Sequence, residues 1–238
     1  MKGMILAAGL GSRLKPWTDT HPKALAVVNG KSLLERNILY LQQHGIFDII
    51  VNVHHFADQI VDAVEKNKGW GSAVTISDET DVVLETGGGL QKASWFFAGE
   101  TDLVLMNADI LTGMDLTAMI RQHTAERPMA TLAVSDRDTS RYFLFNEHNI
   151  LSGWRNVKTG DEKIVRSSAI QHQKAFSGIH VIDTTLFPLI RQTGKFSMVD
   201  VYLDIARENQ VGFFDHSGSS FIDVGKPESV SAAEKTFI

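Results

Sequence analysis

The chain has 238 residues, enough for one domain with a substantial core, and its 43% hydrophobic and 21% charged residues are ordinary for a globular protein. It contains no cysteine, which excludes a disulfide framework, a thiolate metal site and a cysteine nucleophile. A formal net charge of -5 gives no electrostatic case for a nucleic-acid or acidic-membrane partner, and no apolar run approaches the roughly 18 residues of a spanning helix.

Met4–Ala8, MILAA, lacks polar alternation and runs into Gly9, which predicts a buried strand. The same run is only about five residues long, too short for the apolar core of a secretory signal, so a cytoplasmic protein is expected. Ser32–Gly45 places Leu33, Leu34, Asn37, Ile38 and Leu41 at three-and-four spacing. Ser32 is its N-cap, Glu35 completes a capping box and Gly45 is the stop, so this is a helix. Ile49–Val53 reads as a second buried strand, followed by a helix over 57–66. A third strand is expected at 73–77, a helix at 89–97, and a fourth strand, DLVLMNAD, at Asp102–Asp109. Strand and helix alternating at this pitch imply right-handed parallel crossovers and a sheet covered on both faces.

Beyond about residue 130 the pattern changes to short strands, TLAV, YFLF, ILSGW and FSGIHVI, broken by the polar tract Arg155–Lys174, read as a loop with a hairpin. Helices are expected again at 184–191 and 198–209, then VGFFD and FIDVG as last strands. No repeat or linker divides the chain. One domain over 1–238 is expected, with a nucleotide-binding half at 1–125 and a second half at 126–238 that continues the sheet.

The turn after the first strand, Gly9-Leu-Gly-Ser-Arg13, is built to meet an anion, because glycines let backbone N–H groups approach phosphate oxygens and a guanidinium adds bidentate, permanent charge. It is not a Walker A loop: Gly30-Lys31-Ser32 supplies the end of that motif, but Leu25 stands where its first glycine belongs. Nor is it a dinucleotide fingerprint, since Leu14 replaces the third glycine and no acidic residue closes the second strand. Loop amides acting together with Arg13 suit a nucleoside triphosphate. Adjacent His54 and His55 point to opposite faces of an extended strand and do not chelate one ion.

Five blocks carry a resemblance: LAAGLGSRLKP (Leu6–Pro16) with Pro22-Lys23-Ala-Leu and Gly30-Lys-Ser; Glu85-Thr-Gly-Gly-Gly-Leu90; Asn107-Ala-Asp109; Phe176-Ser-Gly-Ile179; and Phe221-Ile-Asp-Val-Gly-Lys-Pro-Glu228. In this order, over nearly the whole chain, they resemble the sugar-1-phosphate nucleotidyltransferases. The resemblance implies an α/β, Rossmann-like mixed and mainly parallel sheet with helices on both faces, without the C-terminal left-handed β-helix of some relatives. It implies in-line attack of a sugar-1-phosphate on the α-phosphorus of an NTP, with release of pyrophosphate and Mg²⁺ as cofactor. Within the family the short chain and the ETGGG block are most similar to members that join UTP to N-acetylmuramate-1-phosphate. Members that join GTP to mannose- or heptose-1-phosphate follow, and a catalytically silent sensing subunit is the alternative of another class.

Carried over residue by residue, the resemblance makes Arg13, Lys23, Asp109 and Asp223 catalytic, the two aspartates holding the metal. Leu6, Ala7, Ala8, Gly9, Gly11, Ser12, Arg13, Lys23, Glu79, Gly87 and Gly88 are the nucleotide-binding candidates, with Glu85 a further polar contact to the base. Asn107, Trp154, Ser177 and Gly178 are the sugar-side candidates. Ala108 departs from the family's usual glycine. The family's Glu-Lys-Pro block, whose lysine contacts the sugar phosphate, is missing: the region reads WRNVKTGDEKIVRSSAIQHQK, leaving Lys158, Lys163 and Arg166 as candidates for that contact. The partners implied are the two substrates alone, for a monomer or small homo-oligomer.

Overall fold

The structure is a computed structural model describing residues 1–238. In chain order its elements are β1 (Lys2–Leu6), a small hairpin of β2 (Val27–Val28) and β3 (Lys31–Ser32), α1 (Leu33–Gln43), β4 (Asp48–Val53), α2 (Ala57–Lys66) and β5 (Ala73–Asp78). They continue with α3 (Glu85–Lys92), β6 (Asp102–Asn107), β7 (Ile110–Thr112), α4 (Leu116–Glu126), β8 (Ala130–Ser135), β9 (Arg141–Phe145), β10 (Leu151–Asn156) and β11 (Glu162–Ile164). The last are β12 (His172–Asp183), α5 (Met198–Ile205), β13 (Val211–Asp215), β14 (Phe221–Asp223) and α6 (Pro227–Thr236).

One ten-stranded sheet runs through both halves in the order β11-β10-β9-β12-β6-β1-β4-β5, with β8 paired to Ala175–Ile182 of β12 and β13 beside β8. The strands β6, β1, β4 and β5 are parallel. The long β12 then joins antiparallel to β6, β8 and β9, so the second half adds a mostly antiparallel wing, apart from the parallel pair β13 and β8. The apolar runs without alternation are explained by two cores. Met4, Ile50, Leu103 and Leu105 face α3 and α5 through Leu90, Val201 and Tyr202. Their neighbours Ile5, Ile49, Val51 and Val104 face α1, α2 and α4 through residues such as Leu34, Ile38, Ile60 and Met119. A strand wetted on neither face needs no polar residue at every second position.

Helix α1 keeps its expected cap, the Ser32 hydroxyl accepting from Glu35 N–H at 3.1 Å. Several elements differ from the expectation. The helix expected at 89–97 begins at Glu85 and ends at Lys92, followed by a 3₁₀ turn over Ser94–Phe97, so the ETGGG block is helical rather than a loop. Residues 184–189 form a 3₁₀ turn containing Pro188, which cannot donate to a regular helical ladder. The helix at 198 stops at Ile205, and β1 ends at Leu6, leaving Ala7 and Ala8 in the site. The tract after Arg155 does hold a hairpin, with Arg155 opposite Glu162. Helices α4 and α6 had no counterpart in the sequence reading. No helix is long and apolar enough to cross a membrane.

Candidate active site

The site opens at the carboxyl ends of β1, β4 and β6, where the parallel strands leave the sheet, as binding crevices in such sheets do. A cleft of about 340 Å³ is lined there by Leu6, Ala7, Ala8 and Gly9 after β1, Asn52 of β4, and Asn107, Ala108 and Asp109 after β6. Lys23, Ala24, Val83, Glu85, Thr86 and Ser197 complete it. The turn out of β1 is held from beneath. Ala7 N–H donates to Asn52 Oδ1 at 2.7 Å, and Asn52 Nδ2 donates to Glu79 Oε1 at 2.8 Å. Asn52 and Glu79 are buried, so this relay works without competition from water. The other Glu79 oxygen accepts from Leu84 N–H at 3.2 Å, which ties the turn to the segment entering α3.

Further along the turn the two glycines differ in purpose. Gly11 has φ of 61°, and a Cβ on it would lie 2.8 Å from Thr18 and 2.9 Å from Lys23, so only glycine lets this turn close over the lysine. Gly9 has nothing within 4 Å of the same position and is open toward the cleft. Lys23, pinned beneath the turn, ion-pairs with Asp109.

Asp109 meets Asp223 through the short pairing of β14 with β7, which puts Asp223 opposite Ile110 and lets Val224 N–H donate to Asp109 C=O at 2.8 Å. Burial, and after it the Asp109 carboxylate, push the Asp223 carboxyl above its ordinary range, while Lys23, Arg13 and Arg137 pull the other way. Beyond Asp223 lies a second cavity of about 630 Å³, walled by Arg13, Asp223, residues 139–143, Trp154, Phe176 and Val199. The acidic pair therefore stands where the two cavities meet. No group of three or more Asp, Glu, His or Cys residues is arranged so that it could hold a metal ion by itself. Two carboxylates set side by side next to a lysine fit a hard divalent cation whose remaining ligands are substrate phosphates and water.

Of the residues expected on the nucleotide side, Leu6, Ala7, Ala8, Gly9, Lys23 and Glu85 line the first cleft. Arg13 does not: its guanidinium lies beside the Asp223–Gly225 turn and lines the second cavity, while Gly11 and Ser12 line neither. Glu79 acts from beneath, through Asn52. Gly87 and Gly88 do not line the cleft. Their N–H groups donate to Phe196 C=O, and a Cβ on either would lie 2.4 Å from the Phe196 ring or 2.3 Å from Gly194 C=O.

On the sugar side Trp154 lines the second cavity, whereas Asn107 lines the first, next to Gly178, whose φ of 74° requires glycine. Ser177 is buried against His216 Nε2 at 2.7 Å. None of the three candidates for the missing lysine reaches either cavity. Lys163 pairs with Asp200 at 2.9 Å, Arg166 donates to the carbonyls of Ala206 and Asn209, and Lys158 lies in the exposed turn between β10 and β11. Sequence reasoning missed Asn52, Thr86, Ser197 and Arg141. Only Asn52 carried a signal, a polar residue at the end of an otherwise apolar strand.

A family model described as nucleotidyl transferase matches residues 2–237. The N-acetylmuramate alpha-1-phosphate uridylyltransferase of Neisseria meningitidis serogroup B is 30% identical over 233 residues, covering 94% of this chain and 93% of that protein. The D-glycero-alpha-D-manno-heptose 1-phosphate guanylyltransferase of Aneurinibacillus thermoaerophilus is 25% identical over 241 residues, covering 99% and 97%. Among solved structures, HddC from Yersinia pseudotuberculosis complexed with GMP-PN superposes with a TM-score of 0.79 at 23% identity, covering 100% of this chain and 99% of that one, a likeness of fold. With the match spanning both cavities and the acidic pair between them, the chain belongs to the nucleotidyl transferase family.

Proposed function

We propose that this protein joins an NTP to a sugar-1-phosphate, giving an NDP-sugar and pyrophosphate, with UTP and N-acetylmuramate-1-phosphate as its substrates. The observation that carries the reading is the meeting of two cavities at Asp109 and Asp223, with Lys23 on one side and Arg13 on the other. The likeness to the Neisseria uridylyltransferase over nearly the full length of both chains supports the choice of substrates.

In the reaction an oxygen of the sugar phosphate forms a bond to the α-phosphorus of the NTP. The bond from that phosphorus to the bridging oxygen breaks, and its electron pair leaves with pyrophosphate. Bringing two anions together is first an electrostatic problem, so positioning and charge neutralisation dominate. The cleft beneath the β1 turn takes the nucleotide, with Ala7, Ala8 and open Gly9 offering backbone against it. Lys23 supplies positive charge next to the α-phosphate, and Arg13 at the junction neutralises phosphate oxygens from the second cavity. Asp109 and Asp223 would hold a divalent cation, Mg²⁺ by the hardness of the donor set, which when bound neutralises charge on both reacting phosphates. All four charged residues stand at one junction, which supports a working enzyme over a silent sensor. A cytoplasmic place and a role in cell-wall sugar metabolism follow from these substrates.

The test is pyrophosphate release with Mg²⁺, each of the four NTPs, and N-acetylmuramate-, mannose- and glucose-1-phosphate, beside an Asp223→Asn control. Release should be confined to UTP with N-acetylmuramate-1-phosphate and fall at least about 100-fold in the control. Release with GTP and mannose-1-phosphate would overturn the substrate assignment. Silence across the panel with UTP still bound would overturn the enzymatic reading.

A further inference from the structure

The second cavity has a charge pattern that a neutral hexose does not need. Its wall carries three charged side chains, Arg13, Arg141 and Asp223, among hydroxyls from Thr139, Ser140 and Tyr142. Phe143, Trp154, Phe176 and Val199 make the rest of it apolar. Asp223 and Arg13 are committed to the junction with the nucleotide cleft. Arg141, the first residue of β9, is exposed and its guanidinium has no hydrogen-bond or ion-pair partner.

The other arginines between β8 and β12 are engaged elsewhere. Arg137 donates to Phe176 C=O and lies 4.9 Å over the Phe221 ring, Arg155 pairs with Glu162 at 2.6 Å, and Arg166 donates to two carbonyls. The cations that bear on Asp223 are Lys23, Arg13 and Arg137, so Arg141 stands apart from the phosphate end. A guanidinium only donates, in a planar fork matched to a carboxylate, whereas reading the hydroxyls of a neutral sugar calls for groups that also accept. The only carboxylate in the wall is Asp223, taken by the acidic pair.

We propose that Arg141 seats the carboxylate of the N-acetylmuramate-1-phosphate acceptor and so selects an acidic over a neutral sugar-1-phosphate. The inference rests on the sugar-1-phosphate reading above and deepens it: the aromatic wall packs on the sugar ring, Arg13 meets the phosphate, and Arg141 selects for the acid.

The test compares N-acetylmuramate-1-phosphate with its carboxyl methyl ester, using the full chain with UTP and Mg²⁺, in the parent and in Arg141→Met and Arg141→Lys variants. The parent should prefer the acid. In Arg141→Met the ratio of kcat/KM for acid over ester should fall about 10- to 100-fold, the range of one charge-assisted pair, with Arg141→Lys recovering part of it. An equal loss on acid and ester, no change on either, or a parent that prefers the ester would each overturn the assignment. Calorimetric titration of acid and ester into the parent and Arg141→Met separates this from the parent reading. A preference for the acid in binding that depends on Arg141, without turnover, would sink the transfer reading and leave the carboxylate site standing. Equal binding of the two would sink the site.

Discussion

Asn52 is the residue through which the core of this sheet reaches the first cleft, and replacing it by leucine should show how much the relay is worth. The side chain has two buried bonds, accepting from Ala7 N–H at 2.7 Å and donating to Glu79 at 2.8 Å. Asn52→Leu keeps the volume but leaves a buried N–H and a buried carboxylate oxygen without partners. Each unmet group costs roughly 1–3 kcal/mol, so the pair should cost about 2–6 kcal/mol. For a chain of this size that is a fall in Tm of roughly 4–24 °C, read by thermal unfolding. Ala7 also lines the cleft, so KM for UTP should rise several-fold in the same variant while KM for the sugar phosphate moves less. The isosteric Asn52→Asp keeps the acceptor for Ala7 and sets a second carboxylate against Glu79, a pair that holds a shared proton. Its stability deficit should therefore be smaller at pH 5 than at pH 8. A Tm for Asn52→Leu within about 2 °C of the parent, with KM for UTP unchanged, would refute the relay as support for the turn.

Two further outcomes follow from buried groups away from the cleft. His180 is buried against the Tyr202 hydroxyl at 2.6 Å, and burial lowers its pKa to about 3. Between its unfolded value of about 6.5 and that folded value the unfolded chain binds the extra proton, so stability is fully present above pH 6.5 and falls with acidification. The loss should be about 1.4 kcal/mol per pH unit at most, and buried His123 and His216, lowered chiefly by burial as well, add to it. Urea unfolding at pH 7.5 and 5 should show the drop, and His180→Phe should flatten it; an equal slope in both proteins would contradict the assignment. Gly88→Ala, which elsewhere in a helix would gain propensity, should here cost about 1–3 kcal/mol, because its Cβ would lie 2.3 Å from the Gly194 carbonyl. A variant as stable as the parent would mean that the 194–196 segment yields freely.

Much of the first cleft's lining was legible in the chain because its residues are contiguous. Leu6 to Gly9 form one turn out of one strand, and Lys23 is held by the same turn. Asp109 was legible for the same reason, as the acid beyond an apolar strand, and so was the both-faces-covered character of β1, β4 and β6. What local pattern could not disclose is which distant segments meet, and the sequence joined Asp109 to Asp223 only through the family resemblance. The pairing of β14 with β7 sets Asp223 beside Asp109, across more than a hundred residues, and only that contact makes two ordinary carboxylates a candidate metal site. The ETGGG block shows the same limit. Its glycines read as an approach to the base, yet Gly87 and Gly88 are small because the 194–196 segment presses on α3 from behind. Glu79 read as a base contact and lies one layer lower, while Arg13 read as a contact of the nucleotide and stands at the wall of the other cavity. Local motifs follow from local backbone geometry, which a short run of residues determines. Which residues wall which of the two cavities depends on through-space packing of segments remote in sequence, and that was decided only by the folded sheet.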